Sequence, residues 1–322
     1  MGNKKSSLKS TIAVSLTNYL DAGAIVAGAS GLSLWQSYLG LTEGHLGFLN
    51  AISANCLGAA IGAIIGGFLA DKYGRKAIYT YNMLVYMVGV LLVVFTTSFP
   101  MLLAGFLVTG ISVGVGVPAS WTYISESSET KNRGRNIGIS QMAWGIGPLI
   151  ILLLGWFLAP PTNNAEAGFL FPLVSQSAVQ ILGDGAAQEA VNVFSSRIVF
   201  ASLFVVALIA WLLQRQLDES AEWKAAKTEE NKGDQKSVFS SFGTLFSNKV
   251  NVRTMLFLAG MYLTWNLVSS VMGFFQQETT GLTLEMRIGA RKTVPSSAAR
   301  MVALGDFHIF FRWYSSIRWR LG

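Results

Sequence analysis

Residues 66–77 read GGFLADKYGRKA, and this stretch decides the fold. Before it, residues 57–65 read LGAAIGAII, wholly apolar. Then Asp71, Lys72, Arg75 and Lys76 crowd around Gly74. About 20 apolar residues cross the hydrocarbon layer of a bilayer as a helix. An apolar run that stops this abruptly in charge, and resumes at once beyond it, reads as a tight turn between two crossings.

The whole chain follows the same pattern. Of its 322 residues 52% are hydrophobic and only 13% charged, with a mean hydropathy of +0.46. A soluble domain carries about 25% charged residues, so this chain has too little polar surface to cover a water-soluble body. Its charges are also spaced far apart. Ile12–Leu20, Leu46–Ala70, the run from Ala77 up to Glu126 and the run from Ile137 up to Glu166 are uncharged. The longest of these holds two crossings, with the polar break TTSFP (96–100) as the turn. The fold class is all-α, a polytopic membrane helix bundle. Seven spans are expected: Thr11–Leu39, Leu46–Ala70, Ala77–Phe95, Met101–Tyr123, Ile137–Leu158, Ile198–Leu213 and Arg253–Phe275. They divide the chain into a basic arm (1–10), a six-helix bundle (11–213), a linker (214–250), a seventh helix (251–276) and an irregular tail (277–322).

Lys and Arg collect in cytoplasmic loops. With the N-terminus inside, sixteen of those up to Arg253 fall on the cytoplasmic side, among them Lys4, Lys5, Lys9, Lys72, Arg75 and Lys76, against Arg197 alone outside. The net charge of +7 is therefore a topology signal, and nucleic-acid binding is excluded for want of a soluble basic face. The expected location is the plasma membrane, multi-pass, N-terminus cytoplasmic, with the lipid bilayer as a partner. The start MGNKKS fits an N-myristoylation pattern but reads more simply as a pre-membrane arm. Cys56 is the single cysteine, so no intramolecular disulfide forms. Ala54, Gly58, Gly62, Gly66 and Ala70 recur every four residues, a small-residue stripe that lets helix backbones approach closely, as a rocking bundle would need. No cofactor, metal set, P-loop or GxSxG element is found; His45 and His308 are the two histidines, and an enzyme is not expected.

These residues resemble the major facilitator superfamily, and within it the sugar-porter branch. Gly66–Lys76 is similar to its loop motif, a glycine, an acid, then a glycine followed by two basic residues. Between spans four and five, Pro118, Tyr123, Glu126, Arg133 and Gly134 stand at the spacing of a second sugar-porter motif. LDESAEW (217–223) keeps Glu219 and Ser220 of a third. The resemblance covers roughly residues 10–275. It implies two six-helix halves rocking about a central cavity, and gating contacts at the cytoplasmic face from Asp71, Gly74, Arg75, Lys76, Glu126, Arg133, Gly134, Arg135 and Glu219. The implied activity is secondary active transport of a sugar or organic acid, coupled to protons.

Asp21 is the proton-coupling candidate. It sits near the middle of the first span, where an ionised carboxylate costs about 2.5–3.5 kcal/mol on insertion scales. A carboxyl switched between two environments takes up and releases a proton. The alternative is a protonated Asp21 hydrogen-bonded to Asn18. The arginine common on the fourth helix of sugar porters is replaced by Phe106. Gln141 and Trp144, one turn apart on the fifth span, share a face and match the branch's hydroxyl- and ring-contacting positions. Trp265 and Asn266, midway along the seventh span, complete the substrate-binding set, though the branch's glutamine pattern is not kept there. Pro160–Arg197 reads as an external segment with one short amphipathic helix, and Gln214–Lys236 as a helical linker.

After Phe275 the character changes. Arg287, Arg291, Lys292, Arg300, Arg312, Arg318 and Arg320 follow an odd-numbered span and would lie outside. We read the tail as the product of a lost reading frame, which would leave the cavity with one wall and the chain inactive alone. The competing readings are a seven-helix receptor, opposed by the basic N-terminus, and a non-functional membrane fragment.

Overall fold

The computed structural model describes residues 4–53, 57–161, 166–230 and 248–274. Every element there is a helix. They are α1 (Lys4–Leu39), α2 (Glu43–Ile52), α3 (Leu57–Tyr73), α4 (Arg75–Val94), α5 (Phe99–Ser127), α6 (Arg133–Phe157), α7 (Phe171–Leu182), α8 (Gln188–Gln214), α9 (Ala221–Glu230) and α10 (Lys249–Phe274). Among the described residues six segments are long and apolar enough to cross a membrane: Ser10–Leu39, Glu43–Tyr73, Arg75–Val94, Phe99–Ser127, Arg133–Phe157 and Gln188–Gln214. They coincide with the first six expected spans. The seventh corresponds to α10, a 26-residue helix. Cys56 and the tail from 277 lie outside the described residues.

The second span departs from expectation, since it is not one continuous helix. Thr42 caps α2 by accepting from His45 N–H, but at Ser53 the backbone turns extended and the serine hydroxyl bends back onto the Asn50 carbonyl, 2.9 Å away. The helix re-forms as α3. Serine competes with helical hydrogen bonding in this way. The turn between α3 and α4 has the opposite economy, a single residue. Gly74 takes φ +99, a backbone region open to glycine and strained for other residues. Ser98, extended, and Pro100 in the first turn start α5, as the TTSFP break predicts.

The bundle is built around α1, which lies along α6, α8 and α5, while α5 also receives α3 and α4. The small-residue stripe is buried as Gly58, Gly62, Gly66 and Ala70. It faces α5. A methyl on Gly62 would strike the Ile111 carbonyl and lie 3.0 Å from Gly114 Cα, and one on Gly114 would strike the Ala59 carbonyl. Two glycine helices thus meet backbone to backbone, and the stripe packs inside the bundle. In α6, Gly147 of the GIGP stretch backs onto the Tyr19 carbonyl in the same manner. At the Gly74 end the core gathers Ala13, Val14, Ala70, Ile78, Tyr79, Val115, Ala119, Tyr123, Ile124 and Leu217. Tyr79 and Tyr123 meet there edge to face at 5.3 Å. The Tyr123 hydroxyl donates to the Asp218 carbonyl at 2.9 Å, and Tyr79 donates to the Ala119 carbonyl.

Candidate functional site: a latch at one end and a buried carboxyl at mid-bundle

The first N–H groups of a helix have no partner within it, and those of α4 emerge directly after Gly74. Glu219, just beyond α8, supplies the acceptor. Its carboxylate takes Arg75 N–H at 3.0 Å and Lys76 N–H at 3.1 and 3.2 Å, and is held in place by Ser220 N–H at 3.0 Å. A negative charge at a helix N-terminus is also favoured by the helix dipole. A side chain at residue 74 would collide with Glu219 Oε2. Glycine is therefore required twice here, for its φ and for its bareness.

The Arg75 guanidinium reaches Asp71 at 3.2 Å on one side and Glu126 of α5 at 3.2 Å on the other. The two pairs differ in strength. Asp71 is 78% exposed, whereas Arg75 and Glu126 are 15% and 12% exposed. The exposed i,i+4 pair contributes about 0.3–0.5 kcal/mol, and Arg75–Glu126 is the stronger contact. Ser220 donates to Glu126 Oε2 at 2.6 Å and accepts from Trp223 N–H at 3.0 Å, which starts α9. Trp223 Nε1 then donates to the Asp71 carbonyl at 3.0 Å. The ends of α3, α4, α5 and α8 are tied together by these few groups.

Of the expected gating residues, Asp71, Gly74, Arg75, Lys76, Glu126 and Glu219 thus come together. Arg133, Gly134 and Arg135 do not join them. They form the first turn of α6, and neither arginine makes an ion pair among the described residues. Ser220 and Trp223 are additional members.

Asp21 is fully buried, and neither carboxylate oxygen has a hydrogen-bond partner among the described residues. The expected alternative partner, Asn18, is committed elsewhere. It donates to Ser140 of α6 and accepts from Ser120 of α5 at 2.9 Å. Asp21 instead borders the space left by Gly116 of α5. The point where a methyl on Gly116 would sit is 3.0 Å from Asp21 Oδ2 and 3.3 Å from Asn82 Nδ2 of α4. Asn82 is oriented by Ser112, which donates to its Oδ1 at 2.9 Å and accepts from its Nδ2 through the Ser112 carbonyl at 3.0 Å. A carboxamide nitrogen carries two hydrogens, so one remains. Phe106 lies elsewhere, against Gly28 and 6.2 Å from the Phe200 ring, two helical turns along α1.

Gln141 is exposed on α6 and Trp144 partly so. Neither lines the groove of about 320 Å³ between α5 and α6, whose walls are Trp121, Thr122, Ile124, Ser125, Ile137 and Ser140. The side chains of Trp265 and Asn266 fall outside the described residues. No set of His, Cys, Asp and Glu able to hold a metal occurs among the described residues.

Comparison with known proteins fits this architecture. The chain is 42% identical over 284 residues to the minor myo-inositol transporter IolF of Bacillus subtilis (strain 168), covering 86% of this chain and 58% of that protein. It is 30% identical over 142 residues to the arabinose-proton symporter of Escherichia coli (strain K12), covering 40% of this chain and 30% of that one. The chain thus spans little more than half the length of the first of these relatives. The inward-open structure of the xylose transporter XylE from E. coli superposes with a TM-score of 0.59 at 16% identity, over 84% of this chain and 64% of the other. None of these findings favours the receptor reading. The profile of the Major Facilitator Superfamily matches residues 11–320, nearly the whole length, and the chain belongs to that superfamily.

Proposed function

We propose that this chain supplies the N-terminal bundle of a secondary transporter for a small polyhydroxylated solute, a sugar or polyol, driven by protons and working by alternating access. The observation that carries the reading is the latch. Four helix ends are closed by one guanidinium, two well-placed carboxylates and a serine, contacts strong enough to bias a two-state equilibrium and few enough to break. The superfamily membership and the sugar and inositol names of the relatives point to the solute class. The latch is assigned to the cytoplasmic face on the positive-inside rule, with the N-terminus cytoplasmic and the protein in the cell membrane.

Asp21 is the proton site in this reading, with Asn82 facing it across Gly116 and offering the hydrogen bond an ionised carboxylate needs. Gln141 and Trp144, and from α10 Trp265 and Asn266, are the proposed solute contacts. Vesicles containing this chain together with the C-terminal six-helix half of a related sugar porter test the proposal with labelled myo-inositol, xylose and a small carboxylic acid, with and without an imposed proton gradient. The expected result is binding or uptake of the polyol and sugar, with gradient dependence lost in Asp21→Asn. Binding of the carboxylic acid alone, or of no solute, would refute the solute class. A gradient response that survives Asp21→Asn would refute the proton site.

A further inference from the structure

The segment between α6 and α8 carries a feature the transport reading does not use. α7 is twelve residues long, FPLVSQSAVQIL, without a charge. Its inner side is buried through Phe171, Val174 and Ala178, against α8. The flank beside it is not. Leu173 is 62% and Ile181 70% exposed, and Phe169, just before the helix, is 83% exposed. Leu173, Ser177 and Ile181 are spaced four apart and so form one stripe. Three large apolar side chains on a short segment, covered by none of the described residues, call for a cover.

The backbone says at what level they lie. Leu170 N–H donates to the Phe157 carbonyl at 2.9 Å and Gly168 N–H to the Ala159 carbonyl at 2.9 Å. α7 therefore starts at the last residue of the α6 span. That end carries Trp156, 67% exposed, beside Phe157, and tryptophan at a span's end marks the headgroup level. Below it an exposed apolar side of α6 continues through Leu149 and Leu153. α8, with 27 residues, is about 40 Å long at 1.5 Å per residue, some 10 Å more than the hydrocarbon layer. Its polar start, Gln188, Glu189 and Asn192, places that surplus among the headgroups, where α7 packs on it.

We propose that α7 lies in the bilayer interface at the end of the bundle away from Gly74, with Phe169, Leu173 and Ile181 inserted at the headgroup–acyl boundary. The partner is the lipid surface itself. An uncharged helix gains from buried apolar area alone, so the docking does not depend on anionic lipid.

Single cysteines at Leu173, Ile181 and Ser175, each in a Cys56→Ser background of the full chain and carrying a spin label, test this in vesicles of phosphatidylcholine alone and with added phosphatidylglycerol. Collisions with dissolved oxygen report lipid, and collisions with a water-soluble nickel chelate report solvent. The expected outcome is that 173 and 181 favour oxygen several-fold over 175, equally in both lipid mixtures. Nickel accessibility at 173 and 181 matching that at 175 would overturn the proposal. Protection from both reagents would overturn it as well, in favour of a covering protein segment. Exchange of an apolar side chain for a labelled cysteine at an exposed position leaves the packed side of α7 intact, so loss of fold does not confound the readout.

Discussion

Replacing Glu219 with alanine isolates what the latch is worth. The Arg75 and Lys76 amides stand in the first turn of α4, where no carbonyl of the same helix can reach them. Both bond to the Glu219 carboxylate at 3.0–3.2 Å, so their shielding from solvent rests on that side chain. A hydrogen bond to a charged group contributes about 1.5–3 kcal/mol. Glu219 is only half-buried, which favours the lower end, and about 1.4 kcal/mol corresponds to tenfold in an equilibrium. Amide exchange at residues 75 and 76, followed by mass spectrometry on a peptide spanning the turn, should therefore accelerate about tenfold in Glu219→Ala. Glu219→Gln keeps a neutral acceptor of roughly half the strength, so about three- to fourfold is expected. Glu126→Gln releases the Arg75 side chain but touches neither amide, and exchange there should stay as in the parent. Unchanged exchange in Glu219→Ala, or equal acceleration in Glu126→Gln, would refute the assignment of Glu219 as the cap of α4.

Gly74→Ala places a methyl against Glu219 Oε2 at a positive φ, and strain of this kind costs about 1–3 kcal/mol; thermal unfolding in detergent should show the loss even where the Arg75–Glu126 pair survives. Gly114→Ala drives a methyl into the Ala59 carbonyl of α3, and overpacking costs about 1–3 kcal/mol, whereas Gly67→Ala, with nothing within 4 Å, should be neutral; the two measured side by side for stability settle the α3–α5 seam. Asn18→Ala strands Ser140, while Ser120 keeps the Val117 carbonyl at 2.8 Å, and one buried polar group left unpaired costs about 1–3 kcal/mol; double substitution of Asn18 and Ser120 should fall short of the sum of the two singles, because the residues share one hydrogen bond.

The spans were legible because lipid forbids charge over about 20 residues, and the uncharged runs report that directly. The latch was legible in part. Asp71, Gly74, Glu126 and Glu219 announce themselves as acids and a glycine at lipid exits, where topology alone asks only for bases. Arg133 and Arg135 were singled out by a motif instead and stand apart, because sequence spacing on a motif does not tell which way a helix's first turn faces. Ser220 was readable as a helix start, a serine three residues before Trp223 in a polar run, but its bond to Glu126 joins residues 94 apart and has no local trace. The surroundings of Asp21 were illegible for the same reason. Asn82 and Gly116 come from two other helices, and only the packing of α1 and α4 on α5 brings them within reach. Ser53 interrupts an apolar run whose hydropathy alone gives no warning of the break.

At Gly58, Gly62 and Gly114 the seam between α3 and α5 joins carbonyl and Cα atoms, with no side chain in between to swivel. Such a joint has no alternative rotamers to adopt, so it neither yields gradually nor heals around a misfit. α3 and α5 therefore form a single strut, with Gly74 and Glu126 at the same end of it, linked through Arg75. Length is policed by the same contact. One residue inserted into either helix would swing every glycine some 100° off the seam and present bulk where only hydrogen fits.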